Sequence, residues 1–124
     1  MSPTQRTLRL LRDHGYVAQV VERWNPFAKV RQDLFGFIDI VAMRSGSLIG
    51  VQATTTSNVM ARITKIFNDQ RSGMWLSTGA SLLVVGWSKR KSGWKPVVKK
   101  IDSGSAATEK NCVHSDVTEE WLLK

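Results

Sequence analysis

Asp39 and Gln52 each sit inside an apolar run, FGFIDIVAM (35–43) and LIGVQATT (48–55). A polar side chain buried in a strand is costly unless it finds a partner, so both positions call for a chemical reason. Side chains alternate faces along a strand, so Phe37, Asp39 and Val41 share one face and Gly50, Gln52 and Thr54 share another. Arg44-Ser45-Gly46-Ser47 reads as the hairpin turn joining the runs, and the simplest register brings Asp39, Gln52 and Thr54 together. A carboxylate, an amide oxygen and a hydroxyl are hard oxygen donors. Mg²⁺ takes such ligands and needs only one or two carboxylates beside a substrate phosphate. The ion would activate a water and neutralise charge developing on a phosphodiester. Arg62, Lys65 and Asp69 fall along one flank of the helical segment that follows, where a lysine would stabilise a leaving oxyanion. Structural roles compete with this. A buried Gln can bond neighbouring backbone, Thr54 suits an ordinary strand, and Arg62 and Lys65 suit a solvated helix face.

The elements that must hold these residues are legible from punctuation and periodicity. Ser2-Pro3-Thr4-Gln5 is a helix start with Ser as N-cap, Pro at the first position and Gln at N3. The helix runs to about His14, stops at Gly15, and turns Leu8 and Leu11 inward and Arg6, Arg9 and Arg12 outward. YVAQVVERW (16–24) reads as a strand, and residues 25–32 as a loop carrying Lys29 and Arg31. Residues 35–43 and 48–54 form the strands of the hairpin. A helix over about 58–69 buries Val59, Ile63, Ile66 and Phe67, and Gly73 to Gly79 brackets a short helical turn. SLLVVGW (81–87) is a strand covered on both faces. KRKSGWKPVVKKI turns at Ser92-Gly93 and is strongly basic. Residues 102–110 read as a flexible linker, and Asp116 with Glu119 as the cap of a short terminal helix. The order α-β-β-β-α-β-β gives an α/β fold, bordering on α+β, with a mixed sheet flanked by helices.

Composition narrows the function. The 124 residues suit a single domain. No apolar run approaches the roughly 20 residues of a membrane span. The arginine-studded N-terminus is unlike a secretory signal, and the lone Cys112 cannot build a disulfide framework or a Cys-based zinc site. A cytoplasmic location follows as the expectation. Eighteen basic against ten acidic residues give a net charge of +8. Residues 1–101 carry sixteen basic and five acidic residues, while residues 102–124 carry two and five. A basic body with an acidic tail suits a polyanion, most simply nucleic acid. The cations are not gathered on one amphipathic helix, which disfavours a membrane surface. Trp94 lies among Lys89, Arg90, Lys91 and Lys95, and an aromatic among cations can stack on exposed bases.

Residues 4–101 resemble the PD-(D/E)XK nuclease superfamily, and within it archaeal-type Holliday junction resolvases and related phage or restriction-type endonucleases. The likeness rests on Phe37-Ile38-Asp39-Ile40-Val41 followed by Gly50-Val51-Gln52-Ala53-Thr54, within an N-terminal helix, strand, hairpin, helix and two strands. It implies Asp39 as the metal-binding Asp, Gln52 at the acidic position, and Thr54 where a lysine usually stands. Lys65 is the candidate for a lysine moved to the helix. Gln5 stands where resolvase-like members carry a first-helix Glu. Asp33 and Glu22 would restore the missing negative charge. The resemblance implies a homodimeric, Mg²⁺- or Mn²⁺-dependent endonuclease acting on branched DNA. Phosphate contacts would come from Arg6, Arg9, Arg12, Lys29, Arg31, Arg62 and the 89–95 segment with Trp94. An inactive DNA-binding member of the same fold and a basic RNA-associated protein are the alternative readings.

Overall fold

The computed structural model describes residues 1–102 and 114–117. Its elements are α1 (Pro3–Asp13), β1 (Val17–Val20), β2 (Arg23–Asn25), β3 (Val30–Gln32), β4 (Ile40–Arg44), β5 (Ser47–Thr55), a 3₁₀ turn (Thr56–Asn58), α2 (Val59–Phe67), α3 (Gln70–Ser77), β6 (Ser81–Arg90), β7 (Gly93–Ile101) and β8 (His114–Val117). The six-stranded sheet has the order β1-β4-β5-β6-β7-β8, and β2 and β3 form a separate two-stranded ribbon. Only β5 and β6 run parallel. The connection between them carries α2 and α3, as a parallel pair requires. The mixed α/β class expected from the element order holds.

Helices cover both faces. On one, Leu8 and Leu11 of α1 pack on Ile40, Ile49, Val51, Leu83 and Val85. On the other, Val59, Ile63 and Ile66 of α2 pack on Phe37, Ile38, Leu82 and Val84. Each such side chain contributes about 1.5–3 kcal/mol by leaving water. Gly86 sets how closely the second layer approaches. A Cβ there would lie 2.3 Å from Val59 Cγ2 and 3.0 Å from Thr56 Cα. The Ser2 side chain accepts from the Gln5 N–H, as its N-cap role demands. No helix of the described residues is long and apolar enough to cross a membrane.

Several expectations need correction. The 16–24 strand ends at Val20, because Val21 and Glu22 leave the sheet and residue 23 starts the ribbon. The 25–32 loop is instead the turn and second strand of that ribbon, with Trp24 opposite Arg31. The first hairpin strand begins at Ile40, not Phe35. Phe35 and Gly36 adopt positive φ (54° and 81°), forming a tight reversal that puts Phe37 and Ile38 into the same core. The turn at Gly73 is part of a full helix capped by Asp69. Asp116 lies in β8, paired with Lys99, and does not cap a helix. The linker and the remainder of the terminal helix, residues 103–113 and 118–124, lie outside the described residues.

Candidate active site

The backbone of Asp39 is pinned on both sides. Its N–H donates to Val51 O (2.9 Å) and its carbonyl accepts from Val21 N (2.8 Å). The first bond sets it opposite Gln52 on the α2 face, since Ile40 pairs with Val51. The second brings residue 22, one step past Val21, alongside. The reversal at 34–38 is closed by Leu34 N to Ile38 O (2.9 Å) and Ile38 N to Leu34 O (3.0 Å), and it folds Asp33 back toward Asp39. Glu22, Asp33 and Asp39 thereby offer carboxylate oxygens within 4.8 Å of one another. Asp39 is 3% exposed, while the other two are partly open to solvent.

Asp39 Oδ2 accepts two hydrogen bonds, from Gln52 Nε2 (2.7 Å) and from the Ala53 N–H (2.9 Å). Burial pushes the Asp39 carboxyl up to about 8, reinforced by its hydrogen bond with Asp33 and by the charges of Asp33 and Glu22, against the Ala53 N–H. Burial and the two neighbouring carboxylates thus disfavour the charged form of Asp39, a cost that a bound cation would offset. Gln52 is 2% exposed, and its Oε1 is buried with no hydrogen-bond partner. Orphaned buried oxygens are rare and call for an explanation. The three carboxylates are hard oxygen donors that fit a divalent cation, and the uncommitted oxygen belongs to the amide bonded to Asp39.

Cations frame the acids. Lys65 Nζ lies 3.6 Å from Asp33 Oδ2, and Arg31 Nη1 lies 2.9 Å from Glu22 Oε1. Lys65 reaches the site from the exposed flank of α2. An open cleft of about 420 Å³ lies beside Asp33, lined also by Arg31, Phe35, Lys65 and Arg71. Arg71 makes a two-point pair with Asp69, whose carboxyl it holds below the usual range. Asp69 thus caps α3 and bonds Arg71, while the Lys65 charge acts on it more weakly.

The other expected residues divide. Thr54 is buried two residues beyond Gln52 on the same face, opposite Gly86 where the 3₁₀ turn closes down. No described hydrogen bond joins it to the carboxylates. Gln5 is exposed on a helix that covers the opposite face and does not join the carboxylate cluster, which Glu22 does. Arg12 donates to Ala18 O (3.0 Å) and anchors β1. Arg6 stacks over the Trp94 ring, 4.1 Å from its centroid. With Arg9 and Trp87 they line a 270 Å³ groove between α1 and the β6–β7 hairpin. Lys89, Arg90, Lys91 and Lys95 are exposed on that hairpin, which overshoots β5, whose Thr55 pairs with Trp87. Lys29 is exposed and Arg62 half-buried. Sequence reasoning missed Arg71, because its proximity to the cleft depends on how α3 packs. It also missed the β2–β3 ribbon, although Asn25-Pro26 signals its turn.

Comparison of the chain with protein-family models, with curated proteins and with solved structures finds no match in any of the three.

Proposed function

We propose that the protein is a metal-dependent DNA endonuclease resembling the PD-(D/E)XK enzymes, working in the cytoplasm on branched DNA and, for a symmetric junction, as a homodimer. The observation that carries this reading is the convergence of the Glu22, Asp33 and Asp39 carboxylates within 4.8 Å of one another, with Lys65 beside Asp33 and an orphaned oxygen on the Gln52 amide that bonds Asp39. Asp39, Asp33 and Glu22 would hold Mg²⁺ or Mn²⁺, with Gln52 Oε1 as a neutral donor. A bound ion supplies Lewis acidity and a more acidic water. Lys65 places a positive charge beside Asp33, where it would bind the phosphate being cleaved and stabilise the departing oxygen. Arg31 holds the Glu22 carboxylate in place. Gln52 and the Ala53 N–H orient Asp39. Exposed Lys89, Arg90, Lys91 and Lys95 supply phosphate contacts.

A second reading is supported by the direction of the Gln52 amide. Its N–H₂ satisfies Asp39 while Thr54 offers no cation, an arrangement that suits an inactive DNA-binding module. Nicking of labelled four-way junction, flap and linear duplex with Mg²⁺, with Mn²⁺ and without metal, by wild type and Asp39→Asn, decides between them. The nuclease reading expects metal-dependent nicking that Asp39→Asn abolishes. Junction binding without cleavage by the wild type favours the module.

A further inference from the structure

The β2–β3 ribbon has no place in the core, yet both its ends are site residues. Glu22 immediately precedes Arg23, and Asp33 immediately follows Gln32. Its tip is preset. Asn25 Oδ1 accepts from the N–H groups of Phe27 (2.9 Å) and Ala28 (3.1 Å), Pro26 fixes its own φ, and Lys29 takes a left-handed φ of 54°. This local bonding holds Phe27 out in water at 95% exposure, and Trp24 behind it is 59% exposed. Arg23, Lys29 and Arg31 are exposed on the same ribbon.

An aromatic ring held fully in solvent by a rigid turn, and flanked by cations, is shaped for an apolar slot bounded by negative charge. Stacked bases between phosphate backbones provide that environment. Two-stranded ribbons also fit a DNA groove. We infer that residues 23–32 form a wedge whose Phe27 enters DNA where base stacking is interrupted, so that the ribbon selects branch points, flaps or nicks over continuous duplex. At an interruption the unstacking that insertion requires has already occurred. The inference rests on the proposed carboxylate site being a DNA site, because the ribbon projects from it. The three strand residues Arg23–Asn25 carry the tip roughly 10 Å beyond Glu22 at ~3.3 Å per residue. The interruption therefore lies on the order of three base steps from the carboxylates.

The test uses the full chain without divalent metal, so that binding is read apart from cleavage. The probes are flap and four-way DNA carrying 2-aminopurine at the branch, with continuous duplex as control. The expected result is a several-fold fluorescence rise with wild type and with Phe27→Trp, lost in Phe27→Ala. Phe27→Ala should lower the affinity ratio of branched over continuous DNA about tenfold, or ~1.4 kcal/mol, with continuous-duplex affinity unchanged. Phe27 touches no core, so the variant keeps its fold, checked by its melting temperature. Equal fluorescence and equal affinity ratio in Phe27→Ala would overturn the wedge. So would a wild-type dimer in sedimentation that Phe27→Ala converts to monomer, which would make the tip a contact between two copies of this chain. Absence of metal-dependent nicking with the fluorescence response intact removes the nuclease reading and leaves the wedge supported as a binding device.

Discussion

Two buried polar pairs lie on opposite faces of the same sheet, and they are finished differently. Under α1, Trp87 Nε1 donates to Thr7 Oγ1 (2.8 Å), and the Thr7 hydroxyl donates onward to Pro3 O (2.8 Å). Both side chains are satisfied. Under α2, Asp39 and Gln52 bond each other, yet one amide oxygen has no partner and three carboxylates crowd together. A closed polar network specifies packing, while an open and electrostatically strained one favours a ligand. Burial alone would not separate them, because all four residues are inaccessible or nearly so. Bond completeness and charge do.

The largest effect is on activity. Asp39→Asn should lower metal-dependent nicking by on the order of a thousandfold, since a cation contributes several kcal/mol of charge stabilisation. Thr7→Val should leave nicking unchanged in the same gel assay. Equal losses would erase the distinction between the pairs.

Next comes the pH dependence of stability. Asp39 has its folded pKa raised from 3.8 to about 8, so between those values the folded state binds more protons than the unfolded one. Stability from this group is fully present below about pH 4 and is lost as pH rises through 8. Urea unfolding in EDTA should therefore show stability falling across that window. The fall should be on the order of a few kcal/mol, at ~1.4 kcal/mol per pKa unit. Mg²⁺ should flatten the slope by replacing the proton, and Asp39→Asn should remove it. A slope that survives in Asp39→Asn would assign it to other groups.

On the closed face, Thr7→Val leaves the Trp87 N–H buried without its acceptor, costing about 1–3 kcal/mol in thermal unfolding. The pH slope should be untouched. Smallest is Gln52→Glu, which replaces the neutral donor by a fourth acid. It should tighten Mg²⁺ binding about tenfold (~1.4 kcal/mol), read as a larger melting-temperature rise with added Mg²⁺. An unchanged rise would mean that Gln52 faces Asp39 and no ion.

Local chemistry made much of the architecture readable. The Ser2 cap and the stripe of Leu8 and Leu11 define α1, and the turns at Gly46 and Gly93 define two hairpins. Strand alternation put Asp39 and Gln52 on one face, because register in a short hairpin follows from the turn. What the pattern mis-assigned was local conformation that tertiary contacts override. FGFID has the composition of a strand, yet Phe35 and Gly36 turn back because Leu34 and Ile38 bond each other. Asp116 has the profile of a cap, yet its backbone pairs with Lys99.

The sequence by itself determined the chemical types: a basic body, an acid and an amide on one hairpin face, and a lysine on the following helix. Only the tertiary structure decided which acids join Asp39. Glu22 and Asp33 are separated from it by 17 and 6 residues, and a loop and a reversal must bend to bring them within 4.8 Å. Periodicity within an element fixes which side chains share its face. Convergence between elements depends on how the chain turns, and that is settled by backbone bonds such as Val21 to Asp39.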